Sequence, residues 1–359
     1  MDRETLRRRT IVIRHELNKK KIDCLVLTKP TNVTYATGFM GGDSWAAIAR
    51  GRVYLLTDSR YTEQAQGECP CCTIIQRTAS LPQALAKLVK KLKTIRSVTV
   101  EASTSLDDFR HLRKTIKGRL KSAANIIETP RSIKDGSEVA AIKTAASIAA
   151  KALERTLPHI RPGITENELA GMLDFQVRKL GATSSFDTIV AFGPNASRPH
   201  HQPTTKKLKN KDAVLIDFGA KYKGYCSDIT RCFAIGGAGA FYKKVYDVVE
   251  QAQAAAIKMV KAGAKLVRVD AAARKVIRKT DLPVYGHGTG HGFGLEIHEL
   301  PYLKPESKGR LKAGEIITIE PGVYIPGKVG VRIEDDFLVT ENGCEVLTRN
   351  CPHSPLLPS

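Results

Sequence analysis

The stretch VLIDFGAKYKGYCSDITRCFAIG, residues 214–236, reads as two apolar strands joined by the tight turn KYKG. Each strand carries one carboxylate where a buried face calls for an apolar side chain. Asp217 follows Val214, Leu215 and Ile216, and Asp228 precedes Ile229. Burying a lone carboxylate costs several kcal/mol or more unless something pairs with it. With Tyr222 and Lys223 at the centre of the turn, Asp217 faces Asp228. Opposed residues have Cβ atoms about 4.5–5.5 Å apart, so two such charges repel unless something positive sits between them.

The same arrangement recurs in EIITIEPGVYIPGKVGVRIEDDFLV, residues 315–339. A turn centred on Gly327 puts Glu320 opposite Glu334, with Arg332 two residues before Glu334 on the same face. A one-residue slip would put the acids on opposite faces. Between the two hairpins lies YGHGTGHGFGLEIHELP, residues 285–301, which offers His287, His291 and His298 in a run of glycines. Glycines let a backbone turn sharply or come close to a ligand. A single inward Asp is ordinarily a satisfied turn residue, and a lone His a core residue. Four acids in two hairpins, with a His–Gly run between them, point instead to metal. Four carboxylates and an imidazole make a hard, oxygen-rich donor set whose charge of about −4 matches two divalent cations.

The rest of the chain sets the frame. Its 359 residues suffice for two domains, and 42% hydrophobic with 26% charged residues is a globular composition. No apolar run reaches the roughly 18 residues of a membrane helix, and the charged N-terminus MDRETLRRRTIVIRHELNKKK lacks the apolar segment of a signal peptide. A cytoplasmic protein with no membrane partner is expected, its eight cysteines reduced. CPCC at 69–72 lacks a second ligand pair at zinc-finger spacing.

The net charge is +21, and residues 1–125 hold 24 Lys/Arg against 11 Asp/Glu. Their basic residues fall on the solvated faces of amphipathic helices, without the interleaved aromatics that stack on bases, so no specific nucleic-acid partner is expected. Strands are expected at DCLVLTK, RVYLLTD, CTIIQR and SVTVEA, with helices at 4–20, 82–94 and 106–118. That alternation makes residues 1–127 an α/β domain. Residues 128–138 read as a linker, Ser137 as the cap of the helix that follows, and Thr165 with Glu168 as a capping box. From 184 onward strands and Gly-rich loops dominate, with one further helix pair near 240–280, so 139–359 reads as an α+β domain.

The segments LIDFGAKYKGYCSDITRCF, GHGTGHGFGLEIHE, TIEPGVY, GVRIEDDFLVT and SFDTIVAFGPNASRPHHQPT (185–204) together resemble the pita-bread metallopeptidases. These are the Xaa-Pro dipeptidases (prolidases), Xaa-Pro aminopeptidases and methionine aminopeptidases. The first domain resembles that of creatinase and prolidase, which methionine aminopeptidases usually lack; creatinase lacks the acidic metal set.

The resemblance implies a creatinase-like α/β N-terminal domain followed by a pita-bread catalytic domain. It implies five metal ligands: Asp217, Asp228, His291, Glu320 and Glu334, with Asp228 and Glu334 bridging two ions. The ions would be Mn2+ first, with Co2+ and Zn2+ as alternatives. It implies hydrolysis of the Xaa-Pro bond by a water bridging the metals, with Glu320 carrying the proton. His200 and His298 would stabilise the oxyanion or hold the substrate backbone, Arg332 would act on the substrate, and His287 would be catalytic or hold the glycine loop. Proline-containing dipeptides or peptides are the implied substrates, and a homodimer the implied assembly. Cys232 departs from the threonine common in the family, outside the ligand set. The alternatives are an aminopeptidase of other N-terminal specificity, such as methionine, and a non-catalytic pita-bread binding module.

Overall fold

The structure is a computed structural model that describes residues 2–116, 119–237 and 239–357. The chain divides into two compact units, Met1–Arg131 and Ser132–Ser359.

The first unit is built on a six-stranded mixed sheet. Its spatial order is Cys72–Gln76, Arg52–Thr57, Trp45–Ala49, Cys24–Leu27, Ser97–Glu101 and Arg119–Ala123. The three central strands are antiparallel, and the outer ones add in parallel. Helices Leu81–Lys91 and Leu106–Thr115 begin at Ser80 and Ser105. The helix expected over 106–118 stops at Thr115, because Ile116 turns extended; positions 117 and 118 lie outside the described residues. Two strands were not legible. WAAIA is rich in Ala, and RLKSA is a polar edge segment, so neither shows an alternating β pattern.

In the second unit, helices Gly136–Thr156 and Glu166–Lys179 back one set of strands, and Ala240–Ile257 with Leu266–Ile277 back another. Thr165 and Glu168 form the expected capping box. The helix from Gly136 is capped by Asp135 and not by Ser137: the Asp135 carboxylate accepts from the Ser137 and Glu138 amides, and a carboxylate is the stronger acceptor. Within the 128–138 stretch read as linker, Glu128–Ser132 is itself a short helix.

Both acid-bearing hairpins break in the middle. Ala213–Phe218 pairs with Ile229–Ala234, and Ala220–Tyr222 pairs with Tyr225–Cys226 in a different sheet. The turn residues are Lys223 and Gly224, both with positive φ (48° and 86°), a two-residue turn one place later than expected. Gly accepts that conformation where a side chain resists it. The pairing therefore moves by two residues, and Asp217 stands opposite Thr230, not opposite Asp228. A two-residue shift keeps the faces, so both acids still point the same way. In the second hairpin the expected register holds through both halves, Ile316–Ile319 with Asp335–Val339 and Gly322–Ile325 with Val329–Arg332. Glu320 and Glu334 sit at the break between them, free of the ladder.

Candidate metal centre

The hairpins meet at Thr230 and Glu334. Their backbones form an isolated bridge, and the Thr230 hydroxyl donates to Glu334 Oε2 at 2.6 Å. The short strand Gly290–Gly292 pairs with the second hairpin through Gly292 and Ile317, on the side away from Asp335–Val339. Gly290 is required there, since a Cβ on it would lie 2.0 Å from the Thr318 carbonyl oxygen. The glycine thus serves close backbone packing, which aims His291 inward.

The result is a cavity of about 420 Å³ lined by all nine residues singled out above: His200, Asp217, Asp228, His287, His291, His298, Glu320, Arg332 and Glu334. Asp228, His291 and Glu334 are buried and offer ligand atoms within 4.8 Å of one another. His291 Nε2 lies 3.5 Å from Glu320 Oε1 and 3.6 Å from Asp228 Oδ2. Its Nδ1 donates to the Gly292 carbonyl at 3.1 Å, which leaves the Nε2 lone pair facing the acids, as a ligating imidazole needs.

Asp217 joins from the side. Its Oδ2 is paired with Arg332 Nη2, and its Oδ1 is buried with no hydrogen-bond partner among the described residues. Arg332 is buried as well, and its other N–H groups reach Thr230 Oγ1 at 3.0 Å and the Tyr324 hydroxyl at 2.8 Å. Arg332 was expected to act on the substrate and not on the fold; in the structure its guanidinium pairs with Asp217. Both ring nitrogens of His287 are also engaged, with the Gly288 carbonyl at 2.7 Å and the Tyr324 hydroxyl at 3.0 Å. His200 and His298 stand exposed at the rim, His298 with its ring 4.4 Å from that of His291.

Three residues escaped the sequence reading. Thr230 ties the hairpins together, and Tyr324 holds Arg332 and His287. Asp336 is fully buried and accepts the Asp228 amide at 3.2 Å. The only available signal was the run Glu334–Asp335–Asp336, in which a third acid follows the pair.

Burial and mutual repulsion dominate the electrostatics. Burial, then Glu334 and Asp217, pushes the Asp228 carboxyl well up. Glu320 rises for the same reasons, burial first and Glu334 second. Glu334 is pushed up to about 8 by burial and then Asp217. Burial pushes His291 down to about 3 and His287 down to about 4. So many carboxylates kept from ionising, beside an orphaned oxygen and a neutral imidazole, describe a site whose charge cations would balance. The donor set, oxygens with one imidazole, fits hard divalent ions.

A pH dependence follows for the metal-free protein. Below about pH 6.5 the two histidines, neutral in the fold, favour folding as pH rises; above it they are neutral in both states and drop out. Asp228, Glu320 and Glu334 keep protons in the fold that the unfolded chain has already lost. Their contribution is present at low pH and is lost as pH climbs through the folded values, by about 1.4 kcal/mol per pH unit for each proton retained. Chelator-treated protein should show a Tm that falls between pH 6.5 and 8, more steeply than metal-loaded protein. A rising Tm over that window would contradict the electrostatics.

The chain matches two family models: the creatinase/prolidase N-terminal domain over residues 9–133 and metallopeptidase family M24 over residues 140–341. It is 39% identical over 346 residues to the uncharacterized peptidase YqhT of Bacillus subtilis, covering 96% of this chain and 97% of that one. Among solved structures it is similar to an Xaa-Pro dipeptidase from Bacillus anthracis, with TM-score 0.94, 38% identity and 98% and 99% of the two chains covered. It is also similar to an X-Pro aminopeptidase from Thermotoga maritima, with TM-score 0.88, 35% identity and 96% and 99% covered. Divalent metal ions belong to that family's chemistry, and no helix among the described residues is long and apolar enough to cross a membrane. The chain therefore belongs to metallopeptidase family M24 and carries the creatinase/prolidase N-terminal domain.

Proposed function

We propose that this protein hydrolyses the peptide bond between an N-terminal residue and proline, using two divalent cations, with Mn2+ the best match to an oxygen-rich set. The observation that carries the proposal is the convergence of Asp217, Asp228, His291, Glu320 and Glu334 on one cavity. Asp228 and Glu334 would serve both ions, Asp217 one, and His291 with Glu320 the other. The ions would supply Lewis acidity and lower the pKa of water at neutral pH.

The protein's own groups do the rest. An Xaa-Pro bond is a tertiary amide with no N–H to grip, so the site must polarise the carbonyl and protonate the departing proline nitrogen. Glu320 suits the proton transfer, since burial and Glu334 favour its protonated form. His298 and His200, exposed at the rim, donate to the substrate carbonyl and backbone. Arg332 pairs with Asp217 and orients it, and the Tyr324 hydroxyl links Arg332 to His287 behind it. A binding module without catalysis would not need this full acid set, which is intact here.

Metal-loaded protein should cleave Ala-Pro and leave Ala-Ala nearly untouched. Equal cleavage of Met-Ala and Xaa-Pro peptides would remove the proline assignment and leave a metal aminopeptidase. Comparing Gly-Pro with an Xaa-Pro-Xaa tripeptide separates dipeptidase from aminopeptidase action. His298→Ala should keep its metals and its Tm while kcat/KM on Ala-Pro falls roughly 10²-fold, the scale of losing one oxyanion donor. An unchanged kcat/KM would take His298 out of the reaction.

A further inference from the structure

A second, larger cavity of about 570 Å³ lies in the first unit, and the peptidase reaction gives it no role. It runs along Cys72–Gln76, the outer strand of the six-stranded sheet, and beside helix Leu81–Lys91. Consecutive residues Thr73, Ile74, Ile75 and Gln76 all line it, so it reaches the strand's outer edge, while Arg52 and Tyr54 of the neighbouring strand line it from the face that the helix covers. Ala84 and Leu88, one turn apart on the helix, give it an apolar floor together with Ile75 and Tyr54.

Its charge is one-sided. Arg52, Lys87, Lys91 and Arg77 line it, and no carboxylate does. Arg77 is paired with Asp58, yet its Nε is buried with no hydrogen-bond acceptor among the described residues. The side chains of Arg52, Lys87 and Lys91 make no ion pair or hydrogen bond among the described residues. Lys87 and Lys91 stand one helical turn apart, on the same side of the groove.

We propose that this groove binds an extended acidic peptide segment of a partner protein, which adds a strand to the edge at Cys72–Gln76. An edge strand presents unpaired backbone N–H and C=O groups, and a helix beside it makes a slot for alternate side chains. Apolar residues of the peptide would enter toward Ala84 and Leu88, and its carboxylates would meet Arg52, Lys87 and Lys91. The same cations oppose pairing with a second copy of this chain, whose net charge is +21. Nucleic acid is disfavoured by the lining, which has Tyr54 as its one aromatic and offers an edge that only a polypeptide can pair with.

The test is fluorescence anisotropy on the full-length, metal-loaded protein, with an N-acetylated, proline-free heptapeptide of alternating Glu and Val as probe. Acetylation removes the free amino terminus that the peptidase reading requires. Binding is expected, and the double variant Lys87→Glu, Lys91→Glu should weaken it about tenfold or more while leaving Ala-Pro hydrolysis unchanged. A peptide with proline at its centre should bind much more weakly, since it cannot donate to the edge. Amides of residues 72–76 should gain hydrogen-exchange protection when the peptide is bound. Equal binding of the proline peptide, no effect of the charge reversal, tighter binding of a single-stranded RNA of the same charge, or a dimer sealed by this edge would each overturn the proposal. Failure of Ala-Pro hydrolysis in the wild type bears on the peptidase reading alone.

Discussion

Asp228→Asn should lose bound metal and nearly all peptidase activity while gaining stability in its metal-free form. The substitution keeps shape and removes one charge. Asp228 lies among Glu334, Asp217, Asp336 and Glu320, all of which raise its cost of ionising, and in the proposed assignment it would serve both ions. An amide is a weak ligand for a hard cation and supplies no charge. Losing Lewis-acid stabilisation worth several kcal/mol should lower kcat/KM by roughly 10³-fold or more. Elemental analysis should find fewer than two metals per chain, and a variant that keeps two metals would sink the ligand assignment. The opposite sign in chelator-treated protein guards against a trivial misfolding result. There the variant should melt above the wild type at pH 8, because the amide needs no proton held in the fold that the unfolded carboxylate has lost.

Arg332→Ala should behave in the reverse way. The guanidinium is buried, and its removal leaves Asp217 without its only ion-pair partner among the described residues. Breaking a buried ion pair by removing one partner costs about 3–5 kcal/mol, because the other charge is left uncompensated. The urea midpoint of chelator-treated Arg332→Ala should fall accordingly. Adding Asp217→Asn to it should recover much of the loss, since no unpaired charge then remains. Loading metal should also recover part of it, because a cation beside Asp217 takes over the compensating charge. If the single variant melts with the wild type, Arg332 is not what holds Asp217, and a direct role on the substrate regains its place.

The donor types were legible because chemistry shows through local pattern. A carboxylate inside an apolar strand is out of place, and four such places with a histidine–glycine run between them carry one meaning. The second hairpin's register was legible for the same local reason: a turn of Pro, Gly and Lys has an evident centre. The first was not, since KYKG offers two centres and the choice depends on which residue accepts positive φ. The cap at Asp135 went to a residue two places earlier than expected, through competition between two good acceptors that sequence alone does not rank.

By itself, then, the sequence determined the class of the two domains, the acid and histidine content of the site and the order of its segments. Those properties reside in residues close together along the chain. Only the tertiary structure decided which groups meet. Arg332 finds Asp217 across 115 positions, and Thr230 reaches Glu334 across 104. His287 and Arg332 share the Tyr324 hydroxyl. Such partnerships depend on how two broken hairpins are packed against a third strand, and no local periodicity records that packing. The partners of Arg332 and His287 are set by the fold.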